Sequence, residues 1–126
     1  MEPVLVRDFA LADLVAVRHE VAEFGAMHGL TDVALYRFVV AVNELTTNAV
    51  RHGGGAGRLE LRRAGTVLRC RVVDGGPGLP AEPPRVPTPP RALSGRGLWL
   101  AQRNTDSIEI DSASWGTSIT VTARVA

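Results

Sequence analysis

Lysine is missing altogether from this sequence: all fourteen basic residues are arginine. That absence excludes a Walker-type phosphate loop, whose lysine reaches the phosphates. It also excludes Schiff-base chemistry on a lysine. Cysteine is nearly missing too. One residue, Cys70, allows no internal disulfide and no cysteine-based zinc cluster. It falls in an alternating apolar pattern, so a buried thiol is expected. No apolar run reaches membrane-spanning length, and no signal peptide is visible. The expectation is an intracellular, cytoplasmic chain in a reducing compartment with no membrane partner. A formal net charge of +1 lacks the basic footprint of a nucleic-acid binder, so no nucleic acid is expected.

What is present suits one ordinary globular unit. The 126 residues are 45% apolar and 21% charged, enough chain for one core and one domain over 1–126. The organising stretch is residues 39–55, V-V-A-V-N-E-L-T-T-N-A-V-R-H-G-G-G. Leu35, Val39, Val42, Leu45 and Ala49 recur at helical spacing. Ala41 and His52 extend the stripe, and the glycines end the helix. Glu44 and Asn48 stand four apart and so share a face. Asn48 offers a neutral oxygen to a hard cation such as magnesium. Glu44 can polarise a hydroxyl or a water. From this helix alone, two polar residues on a solvated face read equally well.

Around that helix, the pattern predicts a strand over residues 4–9. A helix follows from Ala10, with Leu14, Val17, Val21 and Phe24 on one face and Gly29 closing it. His19 and His28 have no partner pattern and read as solvated or structural. Thr31 and Asp32 offer caps for the central helix. Residues 53–57 are a glycine-rich connection. Leu59 and Leu61, then Leu68, Cys70 and Val72, alternate with charged residues as a hairpin turning at Ala64 and Gly65. The second strand runs directly into Asp74. Seven prolines fall within residues 77–90, a composition that excludes helix and central strand. Too little chain follows for a second core, so this segment is expected to be a lid, about 77–93, on one domain. Ser94-Gly95-Arg96-Gly97 then opens a short helix, and Ile108 with Ile110 marks a strand. Ser114-Trp115-Gly116 turns into a last strand on which Thr117, Ile119, Val121, Ala123 and Val125 share one parity. Helices on one face of a mostly antiparallel sheet make an α+β two-layer sandwich.

Three features carry chemistry together. Beside Glu44 and Asn48 stand Asp74-Gly75-Gly76-Pro77-Gly78, at a strand end, and Gly95-Arg96-Gly97, at a helix start. An aspartate leaving a buried strand must satisfy its charge, as an exocyclic amino group of adenine would do. Glycines beside it let the backbone approach a flat ring, although D-G and P-G also suit a plain turn. Free N–H groups at a helix start suit an anion, although glycines there also suit a lid hinge.

In this order the motifs resemble the nucleotide-binding fold of the gyrase, heat-shock chaperone, histidine-kinase and mismatch-repair ATPase superfamily, the GHKL or Bergerat fold. N-E-L-T-T-N-A-V-R-H-G resembles its N box, D-G-G-P-G its first glycine box and S-G-R-G-L-W-L its second. The chain is most similar to bacterial anti-sigma-factor serine/threonine kinases. The resemblance implies ATP or ADP with Mg2+ as ligands. It implies that Asn48 ligates the magnesium and that Glu44 is the general base. Asp74 would bind the adenine amino group, with Gly76 and Gly78 shaping its pocket. Gly95 and Gly97 would cradle phosphate, with Arg96 adding charge or remaining solvated. Thr117 would support the adenine, and Arg51 would approach a phosphate or stay a surface charge. The partners so implied are a sigma factor and an anti-anti-sigma (STAS-like) protein. Apolar positions on the first helix and first strand also offer a surface on which a homodimer could form. Asn43 departs from the small or acidic residue usual before the glutamate. A nucleotide-dependent binding module without catalysis, or a detached histidine-kinase ATPase domain, remain the other readings.

Overall fold

A computed structural model describes residues 3–75, 93–113 and 115–125. Chain order runs β1 (Val4–Ala10), a single 3-10 turn (Leu11–Asp13), α1 (Leu14–Met27), α2 (Asp32–His52), β2 (Ala56–Ala64), β3 (Val67–Asp74), α3 (Leu93–Arg103), β4 (Ser107–Ala113) and β5 (Gly116–Arg124). The strands form one antiparallel sheet in the order β1-β2-β3-β5-β4. Among the described residues, α1, α2 and α3 all lie on one side of it. The α+β two-layer sandwich expected from the patterning is therefore the observed fold.

Strand alternation decides which side is buried. Leu59 and Leu61 of β2, Leu68, Cys70 and Val72 of β3, and Ile119 and Val121 of β5 all enter one core. That core closes against Val17 and Val21 of α1, Phe38, Val42 and Leu45 of α2, and Leu98 and Ala101 of α3. Thr117, Ile119, Val121, Ala123 and Val125 are all buried, as the shared parity requires. The opposite side carries Arg58, Arg62, Arg69 and Arg71. There the Arg71 Nε donates to the Ser118 hydroxyl at 2.8 Å.

Five local expectations are corrected. Ala10 belongs to β1, and a 3-10 turn intervenes before α1 starts at Leu14. The Asp13 carboxylate accepts the Ala10 N–H at 2.9 Å and fixes that turn. Thr31 sits at the N-cap of α2 but makes no side-chain cap bond. His52 is exposed rather than part of the buried stripe, because the helix ends one residue later. Gly57 lies inside β2, where the Phe9 ring leaves no room for a side chain. α3 also begins at Leu93, ahead of the expected Ser94.

The central helix is anchored at both ends. Near its start, the Arg37 guanidinium donates to the Arg103 carbonyl at 2.6 Å and to the Asn104 Oδ1 at 3.3 Å, tying α2 to the end of α3. At its close, the Gly53 N–H donates to the Ala49 carbonyl at 2.8 Å. Gly76 and Gly78, expected to shape a pocket, and the proline-rich segment expected as a lid lie outside the described residues.

Candidate functional site

The site residues come from the interior face of α2 and from one end of the sheet. Glu44 is half-buried and Asn48 is buried, 6% exposed, one turn later on the same helix face. α3 crosses close to this face. A methyl carbon added at Gly97 would lie 3.3 Å from the Glu44 Oε2, so glycine is what lets the α3 backbone sit against that carboxylate. Thr46, between the two, turns its hydroxyl back to the Asn43 carbonyl at 3.1 Å and leaves the stripe undisturbed. Arg51, one turn beyond Asn48, is exposed.

The second cluster closes the sheet. Asp74 ends β3 and is buried, 8% exposed, an unusual position for a carboxylate. Thr117 stands directly opposite Asp74 on β5, and Ser112 stands opposite Thr117 on β4. The two hydroxyl oxygens lie 3.3 Å apart. Asp74, Thr117 and Ser112 thus form one transverse polar row at the edge of an apolar core.

Two further glycines build this row, and in the sequence both read as chain punctuation. Gly53 ends α2 with its Cα against the Asp74 carboxyl group, where any side chain would collide with it. Gly116 opens β5 at a φ of 138°, a left-handed conformation that favours glycine, directly under the Asp74 carbonyl. No local signal distinguishes these from ordinary stop and turn glycines. Their need arises only where two elements meet.

The structure brings Glu44, Asn48 and Gly97 together, and separately Asp74, Thr117, Ser112 and Gly53. Gly53 joins the two groups, since α2 carries both Asn48 and the contact with Asp74. Among the described residues the groups open into different hollows. Glu44 lines a groove between α1 and α2 that also takes in His19, and Asp74 lines a shallow depression with Gly75 and Trp115. Gly95 and Arg96 lie in the first turns of α3. The charge expected of the Arg96 side chain falls outside what the structure describes. His28 packs against Phe24 with the rings tilted, centroids 4.4 Å apart, a structural contact.

The donor set suits a metal only in company. No group of three or more His, Cys, Asp or Glu that could hold an ion occurs among the described residues. The buried Asn48 carboxamide suits magnesium, which takes one or two protein oxygens and completes its shell with waters and phosphates. Burial pushes the Cys70 thiol well above its ordinary range, so it is not a nucleophile. No described helix is long and apolar enough to cross a membrane.

Comparison with known proteins bears on the fold and the family. The model of a histidine kinase-like ATPase domain family matches residues 8–123. No curated protein sequence matches the chain. Among solved structures, one of the RsbU and RsbW domains of a Mycobacterium tuberculosis protein superposes with a TM-score of 0.75 at 23% identity, over 98% of this chain and 32% of that one. A blue-light activated histidine kinase domain of Erythrobacter litoralis gives 0.59 at 20% identity, over 89% of this chain and 61% of that one. The histidine kinase AdeS of Acinetobacter baumannii gives 0.59 at 14% identity, over 98% of this chain and 68% of that one. The chain spans about a third of the first of these proteins, and at such identities the likeness is one of fold. The family match over nearly the full length, on a sheet and helix layer of the same kind, makes this chain a member of the histidine kinase-like ATPase domain family.

Proposed function

We propose that this chain is an ATP-dependent protein serine/threonine kinase of the anti-sigma-factor type. It would phosphorylate an anti-anti-sigma-like protein and sequester a sigma factor, in the cytoplasm and as one domain. The observation that carries the reading is the pairing on α2 of half-buried Glu44 with buried Asn48, the carboxylate held against Gly97 of α3. The RsbW domain in a structurally similar protein supports the sigma-factor side of the proposal.

Each group has a distinct task. Asp74 accepts a hydrogen bond from the adenine amino group, and Thr117 beside it holds the ring edge. Asn48 would hold magnesium, which when bound neutralises charge on the β- and γ-phosphates. Gly95 and Gly97 keep the α3 backbone close enough to follow the phosphates, with Arg96 and Arg51 as nearby positive charge. Glu44 orients the acceptor hydroxyl and takes its proton. The hydroxyl oxygen then bonds to the γ-phosphorus, the bond to the bridging oxygen breaks, and ADP leaves. Such general-base help is worth ~10²–10⁴-fold in rate.

The test is labelled ATP with candidate partner proteins, wild type against Glu44→Ala. The variant is expected to keep near-normal ATP affinity and sigma-factor binding but to lose transfer by that factor. If the wild type transfers no phosphate to any partner yet binds one in an ATP-dependent way, the chain is a nucleotide-dependent binding module instead.

A further inference from the structure

Glu44 has two surroundings. One side of its carboxylate meets Gly97 of α3. The residue also lines a groove of about 530 Å³ between α1 and α2. α1 and α2 form a helical hairpin, so the groove runs along α2 from Tyr36 at one end to Glu44 at the other. Its floor is apolar, formed by Ala22 of α1 with Val39 and Val40 of α2. Tyr36 stands 71% exposed at the far rim, an aromatic ring that core packing does not use. Asn43 stands beside Glu44, half-buried, with a side-chain amide that can both donate and accept.

We propose that this groove is the track for the phosphoacceptor segment of the protein substrate, a deepening that rests on the kinase reading above. The segment lies extended along α2. Asn43 hydrogen-bonds its backbone beside the hydroxyl-bearing residue, and an apolar side chain farther along seats on Val39, Val40 and Tyr36. The dimensions fix the spacing. From Tyr36 to Asn43 is seven residues of helix, about 10 Å at 1.5 Å per residue. An extended chain covers that length in roughly three residues. The apolar residue therefore stands about three positions from the serine or threonine.

The experiment uses the full chain, magnesium, labelled ATP and a peptide library with one fixed serine or threonine and randomised flanks. Wild type is expected to select aliphatic or aromatic residues three positions from the hydroxyl. Tyr36→Ala should erase that preference and raise KM for apolar peptides by roughly tenfold, as the loss of one aromatic anchor does. ADP affinity and kcat should stay as in wild type. Asn43→Ala should raise KM for all peptides alike. A second readout does not depend on transfer. With Tyr36→p-benzoylphenylalanine and a non-hydrolysable ATP analogue, light should cross-link the same peptides. Cross-linking without transfer by the wild type would uphold the groove and defeat the kinase reading. Transfer with an unchanged preference in Tyr36→Ala would defeat the groove and leave the kinase reading standing. Neither transfer nor cross-linking would defeat both.

Discussion

Replacing Gly53 by alanine tests the junction that joins the two halves of the site. The backbone there has φ −108° and ψ 28°, so alanine meets no conformational penalty from a positive φ. Space is the whole difficulty. The added methyl would lie 2.6 Å from the Ala49 carbonyl oxygen and collide with the Asp74 carboxyl group. Backbone cannot swing aside as a flexible side chain can, so either α2 ends early or β3 shifts. Overpacking of this kind costs about 1–3 kcal/mol, offset by about 0.4–1 kcal/mol from the stiffer unfolded chain. The net loss of roughly 1.5 kcal/mol should lower Tm by roughly 5 °C in a domain of this size. Displacing Asp74 should weaken ADP binding at the same time. Gly75→Ala is the comparator, because nothing lies within 4 Å of a methyl carbon there. Its stability should stay near wild type. Urea titration and calorimetry with ADP give both quantities. A Gly53→Ala protein that melts and binds as wild type does would refute the idea that this close approach positions Asp74.

Three other outcomes are expected. Asp74→Asn should lower ADP affinity about ten- to hundredfold, since a charged hydrogen bond worth roughly 1.5–3 kcal/mol is lost; equal affinity by calorimetry would overturn the adenine assignment. Gly97→Ala should hold or gain up to ~1 kcal/mol through helix propensity while its methyl, 3.3 Å from the Glu44 Oε2, displaces that carboxylate; phosphoryl transfer should fall while thermal stability does not, and a parallel loss of both would count against the contact. Burial raises the Cys70 pKa in the folded state, so its contribution to stability is intact below the unfolded thiol value near ~8.5 and is lost as pH rises beyond it, by up to ~1.4 kcal/mol per pH unit; Cys70→Ala should flatten that alkaline decline in urea titrations from pH 8 to 10.

The sequence by itself determined the layers and most of the site's members. Alternation at Leu59 and Leu61, at Leu68, Cys70 and Val72, and along β5 fixes which side of each strand is buried, because strand side chains repeat every two residues. The stripe through Leu35, Val42 and Leu45 fixes α2, and the four-residue spacing of Glu44 and Asn48 places them on one face whatever the rest of the chain does. Asp74 stood out as a charge at the end of an apolar strand. Tertiary structure alone decided what these residues meet. The strand order β1-β2-β3-β5-β4 sets β5 beside β3 and so puts Thr117 opposite Asp74, a pairing between residues far apart in the chain. Gly53 looks like any helix stop until α2 is laid against the end of β3, and Gly97 like any phosphate-loop glycine until α3 is laid against Glu44. The groove beside Glu44 likewise exists only where α1 returns along α2. Periodicity along the chain selects faces, because it is a property of local backbone geometry. Close approach between faces is decided by how whole elements pack, and no spacing within one element encodes it.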